Sequence, residues 1–142
     1  MPFIKTGSRI NLHFHSRGEG EPVLFIHGWS FDCSIWFKQI NDFLSSYKVV
    51  VLDLPGHGHS DYKRETGLID DIGFMIRELK LGKVNLVGHS LGGFLSLKFA
   101  LAHPESVKKL VLIGTPAKFV RTKEHSFGLK EKEIGKLKSF LL

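Results

Sequence analysis

Val84-Asn85-Leu86-Val87-Gly88-His89-Ser90-Leu91-Gly92-Gly93-Phe94-Leu95-Ser96-Leu97 is the stretch that decides the fold. It opens with a short apolar run, Val84 to Val87, of the kind that forms a strand buried on both faces. It continues into a segment, Leu91 to His103, that is apolar almost all round through Phe94, Leu95, Leu97, Phe99, Ala100 and Leu101. That pattern predicts a buried helix, ended by Pro104. Between strand and helix stands G-x-S-x-G at positions 88–92. A serine there sits on a tight, strained turn, and side chains at 88 or 92 would collide with the neighbouring strand and helix. The turn pushes the Ser90 hydroxyl out at the C-terminal edge of the sheet. It also places Ser90 at a helix N-terminus, where unpaired N–H groups and the helix dipole favour a developing negative charge. A lone glycine-rich turn with an incidental serine would not need both flanks; the two together favour a nucleophile.

Working outward, three more short apolar runs appear: Val23-Leu24-Phe25-Ile26, Val49-Val50-Val51-Leu52 and Leu110-Val111-Leu112-Ile113. Each predicts a buried strand of a parallel sheet. Residues 3–6 and 10–15 read as two strands joined by a turn at Gly7-Ser8, and Arg17 to Pro22 as a loop. Trp36, Ile40, Phe43 and Leu44 share one helix face; Leu68, Ile72, Met75, Ile76 and Leu79 share another, ending near Gly82. Alternating strands and helices predict an α/β fold with right-handed crossovers. The expected architecture is a three-layer α/β/α sandwich with a mainly parallel sheet and an antiparallel start. Residues 1–116 form its core. Residues 117–142 contain no strand-like run, and Ile134, Leu137 and Leu141 are spaced as on an amphipathic helix, either a terminal helix or the opening of a lid.

Composition bounds the function. The 142 residues suit one globular domain, with 42% apolar and 24% charged residues and twelve phenylalanines. Cys33 is the only cysteine, so no intrachain disulfide forms. No signal-peptide pattern and no run of roughly 20 apolar residues occur, so the expectation is a cytoplasmic protein without a membrane partner. Net charge is +6, and four of those charges fall from Lys118 onward, where seven basic residues face three acids. Such a face attracts acidic partners, but a solvated helix surface accounts for it as well, and no nucleic-acid module accompanies it.

A second element supports the turn. His27-Gly28-Trp29 directly follows the strand Val23–Ile26. An oxyanion hole needs two N–H donors aimed at one point, and the backbone N–H groups of Trp29 and Leu91 are the candidates. Ile26-His27-Gly28-Trp29, Asp53-Leu54-Pro55-Gly56-His57-Gly58-His59-Ser60 and Gly88-His89-Ser90-Leu91-Gly92-Gly93 together resemble the α/β-hydrolase fold family, in its order and spacing, over residues 3–116. The resemblance implies that His27-Gly28-Trp29 is the oxyanion loop, that Ser90 is the nucleophile framed by Gly88, His89 and Gly92, and that Asp53 to Ser60 is a structural loop. The His-Gly-Trp form and the run to Gly114-Thr115-Pro116 look most like carboxylesterases, with the pimeloyl-carrier-protein methyl ester esterases as a similar group. Meta-cleavage C–C hydrolases and cofactor-free haloperoxidase-like proteins share much of the pattern. The resemblance also implies a lid opening after Leu110–Ile113, and a basic lid would suit a carrier-linked substrate.

A serine hydroxyl needs a base, and the base needs a carboxylate to orient it. In this fold the chain order is serine, acid, histidine. After Ser90 the sequence offers only His103 and His125. His103 lies about 20 Å away along the helix at 1.5 Å per residue, and His125 falls in the expected lid. His89 points away from the nucleophile's side chain; His27 and His57 sit in structural loops. The acid and base are therefore expected from a further segment or a second chain. The expected function is hydrolysis of small-molecule or carrier-linked carboxylic esters through an acyl-enzyme on Ser90, incomplete in these residues and needing no cofactor. The alternatives are a non-catalytic binding module, a C–C bond hydrolase and a metal-dependent hydrolase. The last would rest on His57-x-His59-x-Asp61, which fits the hydrolase loop better, since Tyr62 stands where a further ligand is needed. Gly56-x-Gly58 lacks the third glycine of a dinucleotide site. His13 and His15 face one side of a strand, and without a third ligand packing is their expected role. Leu110–Ile113 is the last buried-type strand, and with nothing beyond it the sheet would end on a bare apolar edge.

Overall fold

The computed structural model describes residues 2–63, 67–115 and 136. Among these residues six strands form one sheet: β1 (Phe3–Lys5), β2 (Asn11–Arg17), β3 (Glu21–Ile26), β4 (Tyr47–Leu52), β5 (Val84–His89) and β6 (Val107–Ile113). Three α-helices connect them: α1 (Phe37–Phe43), α2 (Leu68–Glu78) and α3 (Leu91–Ala102). The sheet order is β1-β2-β4-β3-β5-β6. β1 pairs antiparallel with β2 and β2 with β4, while β4, β3, β5 and β6 run parallel. The antiparallel start and the mainly parallel body are those the sequence led us to expect.

Both faces of the central strands are covered, which is why those runs are unbroken rather than alternating. Leu24 and Ile26 of β3, with Val50 and Leu52 of β4, pack beneath Ile72, Met75, Leu95 and Phe99 of α2 and α3. Val23 and Phe25, with Val49 and Val51, face Trp36 and Ile40 on the α1 side. The alternation within each strand divides the core between two layers of helix, giving a three-layer sandwich. α3 is buried nearly all round, as its composition requires.

Several details differ from the expectation; Glu21 and Pro22, read as loop, already belong to β3. The first turn of the Trp36 helix is a separate 3₁₀ turn, Cys33–Trp36, whose entry Asp32 caps by accepting the Ser34 N–H at 2.8 Å. β6 starts three residues before Leu110, at Val107, which pairs with Val84 of β5; Lys108 beside it reaches Glu21 at 2.7 Å. β6 is also not buried on both faces. It is the outermost strand, and Val111, Leu112 and Ile113 are each more than 40% exposed. The expected lid or terminal helix, residues 117–142, lies outside the described residues apart from position 136.

The connection after β3 runs to β4 on one side and the connection after β5 runs to β6 on the other, so neighbouring β3 and β5 send the chain in opposite directions. A crevice opens at such a switch point, outside the carboxyl ends of the strands. The loops after β3, β4 and β5 gather there.

Candidate active site

β5 ends at His89 and α3 begins at Leu91, so Ser90 alone turns the chain. Its backbone stands at φ 50°, ψ −113°. Residues with a side chain rarely enter that region, at a cost of about 1–3 kcal/mol. Two hydrogen bonds hold it: Ser90 N–H donates to Ile113 O at 2.9 Å, and Phe94 N–H donates to Ser90 O at 3.0 Å. The turn also needs its glycines. A Cβ on Gly88 would stand 2.5 Å from Gly92 O and Gly93 Cα. A Cβ on Gly92 would overlap the carbonyl oxygens of Ile26 and His27. Backbones of β3, β5 and α3 thus meet around a half-buried serine whose hydroxyl makes no capping bond to its helix. The first N–H groups of that helix, Leu91 onward, have no carbonyl partner within it.

β3 brings His27-Gly28-Trp29 to the same point. His27 is fully buried; its Nε2 accepts the Leu54 N–H at 2.9 Å, and its Nδ1 lies 2.8 Å from Gly28 O. Only the neutral ring with its proton on Nδ1 makes both bonds. Burial, against the Gly28 bond and with help from nearby His57, holds this imidazole below its ordinary pKa. Gly28 then passes close to the serine: a Cβ there would stand 3.1 Å from Ser90 Cβ and 2.8 Å from His89 Nδ1. Trp29 leaves its indole 70% exposed, its ring edge-on to His57 at 5.4 Å.

Asp53, at the end of β4, is the polar node of the region. It is buried, and its Oδ1 accepts the Cys33 N–H at 2.7 Å. Its Oδ2 accepts the His59 N–H at 2.9 Å and meets His13 Nδ1 at 2.8 Å. Burial pushes this carboxyl up, but the three bonds outweigh it and hold the group below the usual carboxylate range. Ser60 Oγ donates to Asp53 O at 2.7 Å and accepts the His13 N–H at 2.9 Å. The loop Asp53 to Ser60 is therefore locked to β2 and to the segment after Trp29. Burial and then Asp53 push the Cys33 thiol up to about 12. His15, through burial and then His13, is shifted below its ordinary value.

The structure brings together Ser90, Leu91, Gly88, Gly92, His27, Gly28, Trp29 and His89. Among the described residues no imidazole or carboxylate hydrogen-bonds the Ser90 hydroxyl. His103 caps the far end of α3, its Nδ1 3.6 Å from Glu105. His89 packs against Phe31 at 5.6 Å. His125 lies outside the described residues. The His57-x-His59-x-Asp61 set does not converge: His57 Nδ1 faces Pro55 O at 3.0 Å, and Asp61 accepts from the Asn11 backbone and side chain. The Asp53 network escaped sequence reasoning because its contacts join residues 20 and 40 positions apart. Cys33 also supplies a third donor beside His13 and His15, which the spacing alone did not reveal.

Sheet order, switch point and strand–serine–helix turn define the class as a hydrolase-type α/β sandwich. The α/β-hydrolase fold profile matches residues 21–140, and the chain belongs to that family. It is 36% identical over 115 residues to the (E)-2-((N-methylformamido)methylene)succinate hydrolase of Acinetobacter baylyi, covering 78% of this chain and 44% of that one. It is 30% identical over 129 residues to the pimeloyl-[acyl-carrier protein] methyl ester esterase of Nitrosospira multiformis, covering 87% and 49%. The chain therefore spans about half the length of these curated relatives. Among solved structures, the esterase of Exiguobacterium antarcticum superposes with a TM-score of 0.77 at 32% identity, over 97% of this chain and 54% of that one. The epoxide hydrolase of Bacillus megaterium does so at 0.75 and 32%, over 83% and 43%. No helix among the described residues is long and apolar enough to cross a membrane.

Proposed function

We propose that this chain carries the nucleophile and oxyanion hole of a serine hydrolase that cleaves carboxylic esters. The observation that carries the reading is the strained Ser90 turn, at φ 50°, packed against Gly28 at the switch point of the sheet. Ser90 Oγ attacks the ester carbonyl while a base takes its proton. The carbonyl oxygen becomes an oxyanion held by the Trp29 and Leu91 N–H groups, and collapse expels the alcohol with that proton. Water then releases the acid from the acyl-enzyme by the same path. The acid and histidine of the triad come from beyond these residues, in a further segment or a second chain, since the relatives extend well past the matched half.

The substrate is a small or carrier-linked ester in the cytoplasm. Esterase relatives support the reaction class, and the basic residues 118–138 would favour an acidic carrier. A second reading, a non-catalytic binding module, is favoured by one observation: no base reaches Ser90 among the described residues. Intact-mass spectrometry after exposure to a fluorophosphonate separates the two. An adduct on the wild-type chain and none on Ser90→Ala supports the hydrolase. A folded chain that stays unlabelled even when the segment or second chain supplying the acid and histidine is present moves the assignment to the binding module.

A further inference from the structure

We propose that His13, His15 and Cys33 form a binding site for one borderline transition-metal ion, zinc above all, with Asp53 as its positioning carboxylate. One donor atom from each of the three lies within 4.8 Å of the others. They come from β2 and from the turn after Trp29, so only the fold assembles them. The donor set of two imidazoles and a thiolate suits zinc, cobalt or copper rather than magnesium or calcium.

His13 carries the argument furthest. It is 1% exposed, and its Nδ1 is 2.8 Å from Asp53 Oδ2. Its Nε2 is buried with no hydrogen-bond partner. A buried ring nitrogen without a partner is costly, and a carboxylate on one ring nitrogen with the other left free to ligate is the arrangement metal-binding histidines use. A cavity of about 370 Å³, lined by His13, His15, Cys33 and Asp53 among others, gives an ion a way in and room for a water as fourth ligand. Zinc bonds of about 2.0–2.3 Å set tetrahedral donors roughly 3.3–3.7 Å apart, so the three need close by no more than about 1.5 Å. On binding, a zinc–sulfur bond replaces the Cys33 S–H bond and the proton leaves to solvent.

Asp32, Cys33 and Asp53 also lie within 4.8 Å of one another. That set is less apt, because Asp53 already accepts two N–H groups besides meeting His13, and Asp32 accepts the Ser34 N–H. The ion would tie β2 to a residue four positions past Trp29. It would thus brace the loop that we assign to the oxyanion hole, without touching Ser90.

The test is titration of the full chain with zinc by calorimetry, and with cobalt(II) by absorption spectroscopy. The variants are Cys33→Ser and His15→Ala, with circular dichroism to confirm folding. One equivalent of zinc should bind the wild type, and each variant should weaken it by at least about 100-fold. Cobalt should give tetrahedral visible bands and a near-ultraviolet thiolate charge-transfer band that Cys33→Ser abolishes. Zinc should also raise the melting temperature of the wild type but of neither Cys33→Ser nor His15→Ala. Ser90→Ala should bind zinc normally, so this result stands or falls apart from the hydrolase reading. Absence of stoichiometric binding, binding unchanged in both folded variants, or cobalt bands without the thiolate signature would each overturn the site.

Discussion

Gly88→Ala tests whether the serine turn is as tightly built as its geometry indicates. The added Cβ would stand 2.5 Å from Gly92 O and Gly93 Cα, and 2.6 Å from Gly93 N. All three are backbone atoms of α3, so no side chain can swing aside. Restoring an ordinary 3.4 Å contact needs β5 and α3 to separate locally by about 0.9 Å. Overpacking of this kind costs about 1–3 kcal/mol, and the rigid neighbours put it at the upper end, about 2–3 kcal/mol. Position 88 is in a strand and has no helix propensity to gain in return. With an unfolding entropy of about 2.1 cal/mol/K per residue, the chain should lose roughly 7–10 °C in melting temperature. Differential scanning calorimetry reads this directly. Gly7→Ala is the control, because a Cβ there meets nothing within 4 Å, and it should change stability by less than about 0.5 kcal/mol. A Gly88→Ala melting point within about 2 °C of wild type would refute the claim that backbone contact around Ser90 requires glycine.

Other positions give further tests. Ser90→Gly should raise stability by about 1 kcal/mol in denaturant titrations, since glycine relieves the φ 50° strain, while abolishing any fluorophosphonate labelling. The folded pKa of His27 is depressed, so the stability it contributes is present above the unfolded imidazole value and lost as pH falls below about 6.5. His27→Gln should flatten that part of the pH–stability curve measured by urea unfolding. Asp53 is also depressed, so its contribution is lost only as pH falls through the lower carboxylate range, below about 4. Asp53→Asn should cost about 2–3 kcal/mol at neutral pH by leaving buried donors poorly matched. In metal-free protein the Cys33 thiol, pushed up to about 12 and buried, should react with iodoacetamide at pH 8 far more slowly than in the urea-unfolded chain.

The fold was legible because its signals are local. Val49–Leu52 and Val84–Val87 are short and β-branched, and α3 is apolar on every side; each pattern admits few placements. The Ser90 turn was legible for the same reason: glycine at 88 and 92 answers to backbone contacts within five residues or with the adjacent strand. β6 was read three residues short because Lys108 and Lys109 look like loop residues until the edge position, where lysines meet solvent, is known. The Asp53 node was illegible. Nothing in the spacing of His13, Cys33, Asp53 and His59 announces that β2 and β4 pair antiparallel and bring them together. Tertiary register created that cluster.

Register also links the serine to the rim of the sheet. Ser90 N–H is held by Ile113 O, the last residue of β6, and Thr115 Oγ1 lies where a Cβ on Gly93 would go. The strained turn is therefore fixed on one side by α3 and β3, which are buried, and on the other by a strand whose Val111, Leu112 and Ile113 are exposed. Strain at φ 50° persists only where the surroundings over-determine it. The inner half of that surround is supplied by the core described above. The outer half depends on β6 keeping its register against β5, where the pairing shifts between Val84 and Asn85 before running regularly to His89 and Ile113. A shift of β6 is thus passed to Ser90 through the 2.9 Å bond to Ile113 O, alongside the β5 pairing at His89 and the Thr115 contact with Gly93.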